Sequence, residues 1–161
     1  MKNRVFVLLG LLAVSLVSCD KNDDNYLPDT KIVTAFTEQY AGAQYVEWEQ
    51  EGLYQKAEFQ LSGTDMEAWY SQTGEWLMTE SDITYAALPE AVRTTFESGE
   101  YKTWMKDDVD KIERADRETV VYVLEVELGE QEKELYYEED GTLIKALNGN
   151  NQPDHSPDEV I

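Results

Sequence analysis

The strongest constraint on this chain is a set of alternating segments closed by glycine turns, which occurs twice. Leu53, Ala57, Phe59 and Leu61 share one parity, and Tyr54, Lys56, Glu58 and Gln60 share the other, the period of a strand with one buried face. Ser62-Gly63 turns the chain. Residues 64–71 then alternate again, with Met66, Ala68 and Tyr70 against Asp65, Glu67 and Trp69, before a second turn at Thr73-Gly74. A shift of 67 residues lays Ala57 on Leu124, Phe59 on Val126, Leu61 on Leu128, Trp69 on Tyr136, Tyr70 on Tyr137 and Gly74 on Gly141, without a gap. A half-apolar antiparallel sheet is unstable in water by itself, so each set of strands needs a cover.

The covers precede the strands. Pro28-Asp29-Thr30 is a helix start, followed by Ile32, Val33, Phe36 and Tyr40 at helical spacing and a stop at Gly42. Leu88-Pro89-Glu90 starts a second helix with Leu88, Val92 and Phe96 as its apolar stripe and Gly99 as its end. The helices match at a shift of 60 residues, so seven extra residues separate the second helix from its sheet. Strands are expected at 45–50, 53–61, 64–71 and 75–79, and again at 109–113, 120–128, 132–138 and 142–147, the last behind the Asp140-Gly141 hairpin signal. The fold class is α+β, a tandem duplication of a helix plus four-stranded antiparallel sheet, with repeats at 29–83 and 84–147. A flexible tail is expected at 148–161, where Asn, Gly and Pro dominate.

The N-terminus carries an address. Lys2 and Arg4 precede a 13-residue uncharged apolar run, which has the length of a signal-peptide core and falls short of the roughly 20 residues of a membrane span. The run ends Leu16-Val17-Ser18-Cys19, which resembles the lipobox of bacterial lipoproteins. That resemblance implies a signal peptide at 1–18, acylation of Cys19 and anchoring in the outer membrane, and it accounts for the single unpaired Cys of a secreted chain. Residues 19–28 read as an acidic tether. The Asp-rich stretch 20–25 resembles the surface-export signal of Bacteroidetes lipoproteins; a plain spacer is its other reading.

Charge and composition narrow the chemistry. The formal net charge of −21 excludes a binder of nucleic-acid backbones, which needs clustered Lys and Arg. One His and one lipidated Cys leave no Ser-His-Asp or Cys-His site, and His155 lies in the Pro/Asn-rich tail, where solvation is expected. No catalytic residue, cofactor or metal ligand is assigned. A weak calcium site at Glu138-Glu139-Asp140 or at Asp107, Asp108 and Asp110 is the lesser reading of those acidic runs. Trp48 and Trp76 are in phase with apolar neighbours and are expected in the core, whereas Trp69 falls on the parity of Asp65 and Glu67.

The segments Tyr40-Ala41-Gly42-Ala43, Val46-Glu47-Trp48, Ala57-Glu58-Phe59, Ala68-Trp69-Tyr70, Gly74-Glu75-Trp76 and Leu88-Pro89-Glu90-Ala91-Val92 resemble the PepSY-like lipoproteins of Bacteroidetes. The resemblance implies a β-lactamase-inhibitor-like fold over about 30–147 and no settled activity. The second half departs from the pattern, with Lys111 or Ile112 at the place of Trp48 and Leu143 at that of Trp76, and no motif for β-lactamase contact is visible.

A helix covers one face of a sheet, so the opposite face is expected to meet solvent or a partner. Parity assigns Tyr54, Trp69, Val121, Val123 and Tyr136 to it, more apolar than a solvated face requires. The expectation is a non-enzymatic envelope lipoprotein that binds a protein, basic in character, through this face, as an inhibitor or accessory factor. A carbohydrate-binding module is the alternative reading, and a carboxylate-dependent hydrolase is a more distant one.

Overall fold

The computed structural model describes residues 26–149 and 155–158. The expected signal peptide, Cys19 and the acidic stretch 20–25 lie outside the described residues. Helix α1 (Thr30–Gln39) is followed by strands β1 (Gln44–Glu51), β2 (Tyr54–Leu61), β3 (Thr64–Ser71) and β4 (Trp76–Asp82). A single 3-10 turn leads into helix α2 (Glu90–Ser98), then β5 (Met105–Arg114), β6 (Val121–Leu128), β7 (Gln131–Glu138) and β8 (Leu143–Asn148). The eight strands form one antiparallel sheet in sequential order.

The local signals act as their chemistry dictates. Asp29 caps α1, its carboxylate accepting from the Lys31 amide at 3.0 Å. Glu90 sits in the first turn of α2, at the positive end of the helix dipole. Ile32, Phe36 and Tyr40 pack on Trp48, Ala57, Phe59, Ala68 and Tyr70, with Trp76 against the cluster. Phe36 and Phe59 meet edge to face at 4.9 Å. Leu88, Val92 and Phe96 pack on Val109, Leu124, Val126, Leu135 and Tyr137. Both helices therefore cover the same face, since Ala68 pairs with Thr79, Thr79 with Glu113, and Lys111 with Tyr122 along one parity. Thr79 is buried at the join, where its hydroxyl bonds the Tyr40 hydroxyl and accepts from the Trp76 indole at 2.8 Å.

Two strands run further than expected. β5 begins at Met105 because Met105 and Lys106 pair with Glu127 and Val126 of β6, and β4 continues through Asp82 because it pairs with β5 from Met78–Arg114 to Asp82–Asp110. That seam fuses the halves into one sheet. The polar stretches that extend the two strands, Glu80-Ser81-Asp82 and Lys106-Asp107-Asp108, hide the alternation from a hydrophobicity reading.

Among the described residues, no helix is long and apolar enough to cross a membrane.

Candidate functional site: the face opposite the helices

Parity brings the expected residues to one face, as Lys56 pairs with Trp69, Trp69 with Met78, and Val123 with Tyr136. The expectation that this patch is exposed is corrected. Trp69, Met78, Ile112, Val121, Val123 and Tyr136 form a third core cluster, with Trp69 and Tyr136 at 0% exposure and Val121 and Val123 at 0% and 1%. Tyr54 is half-buried and meets the Trp69 ring edge-on at 6.2 Å. Long cations help to cover the aromatics: the Lys56 ammonium lies 5.5 Å from the Trp69 ring centre and the Lys145 ammonium 4.2 Å from that of Tyr136. Strand parity assigns a face but says nothing of side chains that fold down over their neighbours.

What this face presents is charge. Glu47 pairs with Glu58, Glu58 with Glu67 and Glu67 with Glu80, a row of four glutamates across β1 to β4. Asp82 pairs with Asp110 across the seam. Like charges directly opposite one another destabilise a sheet. Lys56, only 7% exposed, offsets one end of the row. Its ammonium lies 2.8 Å from Glu58, 3.6 Å from Glu49, 3.8 Å from Glu67 and 3.9 Å from Glu51. Burial opposes the charge on Lys56, yet these carboxylates outweigh it and raise its pKa. Burial also raises the Glu67 carboxyl above its ordinary range.

His155 occupies the other end, which corrects the expectation of a solvated tail residue. Its Nδ1 is 2.9 Å from both carboxylate oxygens of Glu80, and its Nε2 is 3.6 Å from Glu134. The ring meets Tyr136 edge-on at 6.0 Å. The segment is held further along, where Arg114 donates to the Pro157 carbonyl at 2.9 Å, and the Asp158 carboxylate raises the pKa of the Tyr54 hydroxyl. Burial would lower the imidazole pKa, but Glu134 and Glu80 outweigh it and push it up to about 10. Residues 155–158 of the expected tail thus lie against the sheet.

Glu134 is held below the usual carboxylate range: burial raises it, but His155 and the Tyr136 hydroxyl, which donates at 2.8 Å, prevail. Asp110 goes the other way, pushed up to about 8 by burial and then by Glu80 and Asp108. Further along the face, Glu125 is pushed up to about 7 by a hydrogen bond shared with Glu132 and then by burial.

The acidic runs flagged in the sequence do structural work. Glu138 pairs with Arg117 at 2.6 Å and Asp140 accepts from the Thr142 amide at 2.9 Å, which closes the hairpin. Asp108 accepts from the Val109 amide at 2.8 Å at a break in the β5–β6 register. Asp110 alone of its run joins Glu80 and His155, one ligand-type atom of each lying within 4.8 Å of the others. Sequence reasoning missed this group because Glu80 and Asp110 meet only through the seam and His155 arrives from the tail.

The fold and this face can be set beside known proteins. No curated protein matches the chain. A BLIP-like protein from Bacteroides fragilis is 32% identical, with a TM-score of 0.75, covering 82% of this chain and 94% of its own. A DUF2874 family protein from Bacteroides ovatus is 26% identical, with a TM-score of 0.79, covering 85% of this chain and 99% of its own. A structure from Bacteroides eggerthii described as "putative periplasmic proteins" is 22% identical, with a TM-score of 0.76, covering 81% of this chain and 94% of its own, and shares the fold. The family profile described as "Putative beta-lactamase-inhibitor-like, PepSY-like" matches residues 54–145. With that match spanning more than half its length, the chain belongs to the PepSY-like, β-lactamase-inhibitor-like family.

Proposed function

We propose that this chain is a non-enzymatic binding module of the cell envelope, anchored through an acylated Cys19, which takes an extended basic segment of a protein partner on the face opposite its helices. The observation that carries this reading is the seat of His155. The chain's own residues 155–158 lie along that face with a cationic ring between Glu80 and Glu134 and a main-chain carbonyl on Arg114. A face that accepts one such segment has the charge to accept another, and the glutamate row from Glu47 to Glu80 extends the same potential across four strands. The apolar patch contributes rigidity under this surface rather than contact. The likeness to a BLIP-like protein supports a binding role without identifying the partner. The envelope address rests on the lipobox-like Cys19 and on the periplasmic description of one relative. The shared α-β-β-β-β order of the halves and the ungapped 67-residue shift support descent from a duplicated unit.

The test is cross-linking in intact cells followed by capture of the protein, wild type against Glu58→Gln/Glu67→Gln. Partners held by wild type should be lost from the double variant and should dissociate as salt rises from 50 to 500 mM, since exposed charges are screened within a few ångströms at high ionic strength. Capture of the same partners by both proteins, at both salt concentrations, would refute the reading.

A further inference from the structure

We propose that Glu80, Asp110 and His155 form a binding site for one divalent first-row transition-metal ion, with zinc the best fit. One ligand-type atom from each residue lies within 4.8 Å of the other two. Proximity of acids alone would mean little on a chain of this charge, but one further observation points to a ligand. Asp110 is 8% exposed, and no donor among the described residues hydrogen-bonds its carboxylate. Nearly all buried polar groups are satisfied, so a buried carboxylate aimed into a cluster without a donor indicates a missing partner.

The donor set selects the ion. Two carboxylates balance a divalent charge, and an imidazole favours zinc and its neighbours over calcium or magnesium, which prefer all-oxygen sites. Metal–ligand bonds of about 2.0–2.2 Å hold tetrahedral ligand atoms roughly 3.4 Å apart, so the ion would spread His155 Nδ1 and Glu80, now 2.9 Å apart, and narrow the wider gaps of the cluster. That movement falls to the His155 segment and the Glu80 side chain. Glu134, fixed by the Tyr136 hydroxyl, stands where a supporting carboxylate orients the imidazole. The three ligands come from β4, β5 and the tail, so a bound ion would clip residue 155 to the seam between the two halves. This inference does not depend on the binding role proposed above.

The experiment uses the full chain in detergent, stripped with chelator and titrated with zinc chloride by calorimetry, with cobalt(II) absorption as a second readout. The expected result is one ion per chain at micromolar affinity or tighter, visible cobalt bands of a four- or five-coordinate site, and a raised melting temperature. Asp110→Asn and His155→Ala should each weaken binding at least tenfold while still melting cooperatively. Glu138→Gln/Glu139→Gln, which alters acids away from the cluster, should bind as wild type does. Absence of saturable binding in wild type would overturn the proposal. Undiminished binding in either Asp110→Asn or His155→Ala would also overturn it, and undiminished binding in both would mean an adventitious ion only, held by the acidic surface.

Discussion

Gly141 is where the hairpin of the second half touches the helix that covers it, and its replacement by alanine measures that contact. Its φ is +85°, and an added Cβ would stand 2.6 Å from the Ala91 carbonyl oxygen, 2.7 Å from the carbonyl carbon and 2.9 Å from Thr95 Oγ1. Two costs add. Alanine in a left-handed conformation costs about 1–2 kcal/mol. Displacing backbone in the first turns of α2 adds roughly 1–3 kcal/mol more, as overpacking does elsewhere. Gly129 supplies the control: its φ is +66° and nothing lies within 4 Å of its added Cβ, so Gly129→Ala carries only the first cost. Gly74 has a φ of +89° and its added Cβ would meet Ile32 at an ordinary 3.7 Å, so Gly74→Ala should resemble the control. Urea unfolding of the three variants, with m unchanged, gives the comparison. Gly141→Ala should be less stable than Gly129→Ala by about 1–3 kcal/mol. Equal losses within about 0.5 kcal/mol would refute the close approach of helix and hairpin, because that spread is the ordinary scatter of surface substitutions.

Phe59, buried between Phe36 and Tyr40 at ring separations of 4.9 and 4.7 Å, should cost about 3–5 kcal/mol as Phe59→Ala in the same assay; a loss below 1 kcal/mol would contradict that packing. The Glu125–Glu132 pair predicts a pH dependence. The Glu125 carboxyl has a folded pKa raised to about 7 from 4.5, so the folded state holds more proton in that window and stability falls as pH rises through it. Glu132→Gln should flatten this slope, and an unchanged slope would discount the shared proton. Mass spectrometry of the protein from its native cells should find diacylated Cys19 as the N-terminal residue; an unmodified Cys19, or processing elsewhere, would refute the anchor.

Strand alternation and glycine turns carried much of this fold in plain view, because each of β2, β3, β6 and β7 has one apolar parity and short hairpins set its register. The β4–β5 seam was less legible. Its outward residues Glu80, Asp82 and Asp110 are acids, and the pairing joins segments on either side of a whole helix. The face opposite the helices was assigned correctly by residue and wrongly by exposure. Trp69 and Tyr136 do sit there, but Lys56 and Lys145 lie across their rings. His155 carried no local signal, since its surroundings in sequence are Pro, Asn and Ser and its partners are 75 and 21 residues away.

Which face of the sheet meets a partner is open to site-specific photo-cross-linking in living cells. A photoreactive residue at Gln60, beside Glu58 on the same face, is compared with one at Thr94, on the exposed side of α2. Covalent capture of a discrete, basic protein from position 60 and none from position 94 is the predicted result. Capture from position 94 alone, or the same adducts from both positions, would contradict it.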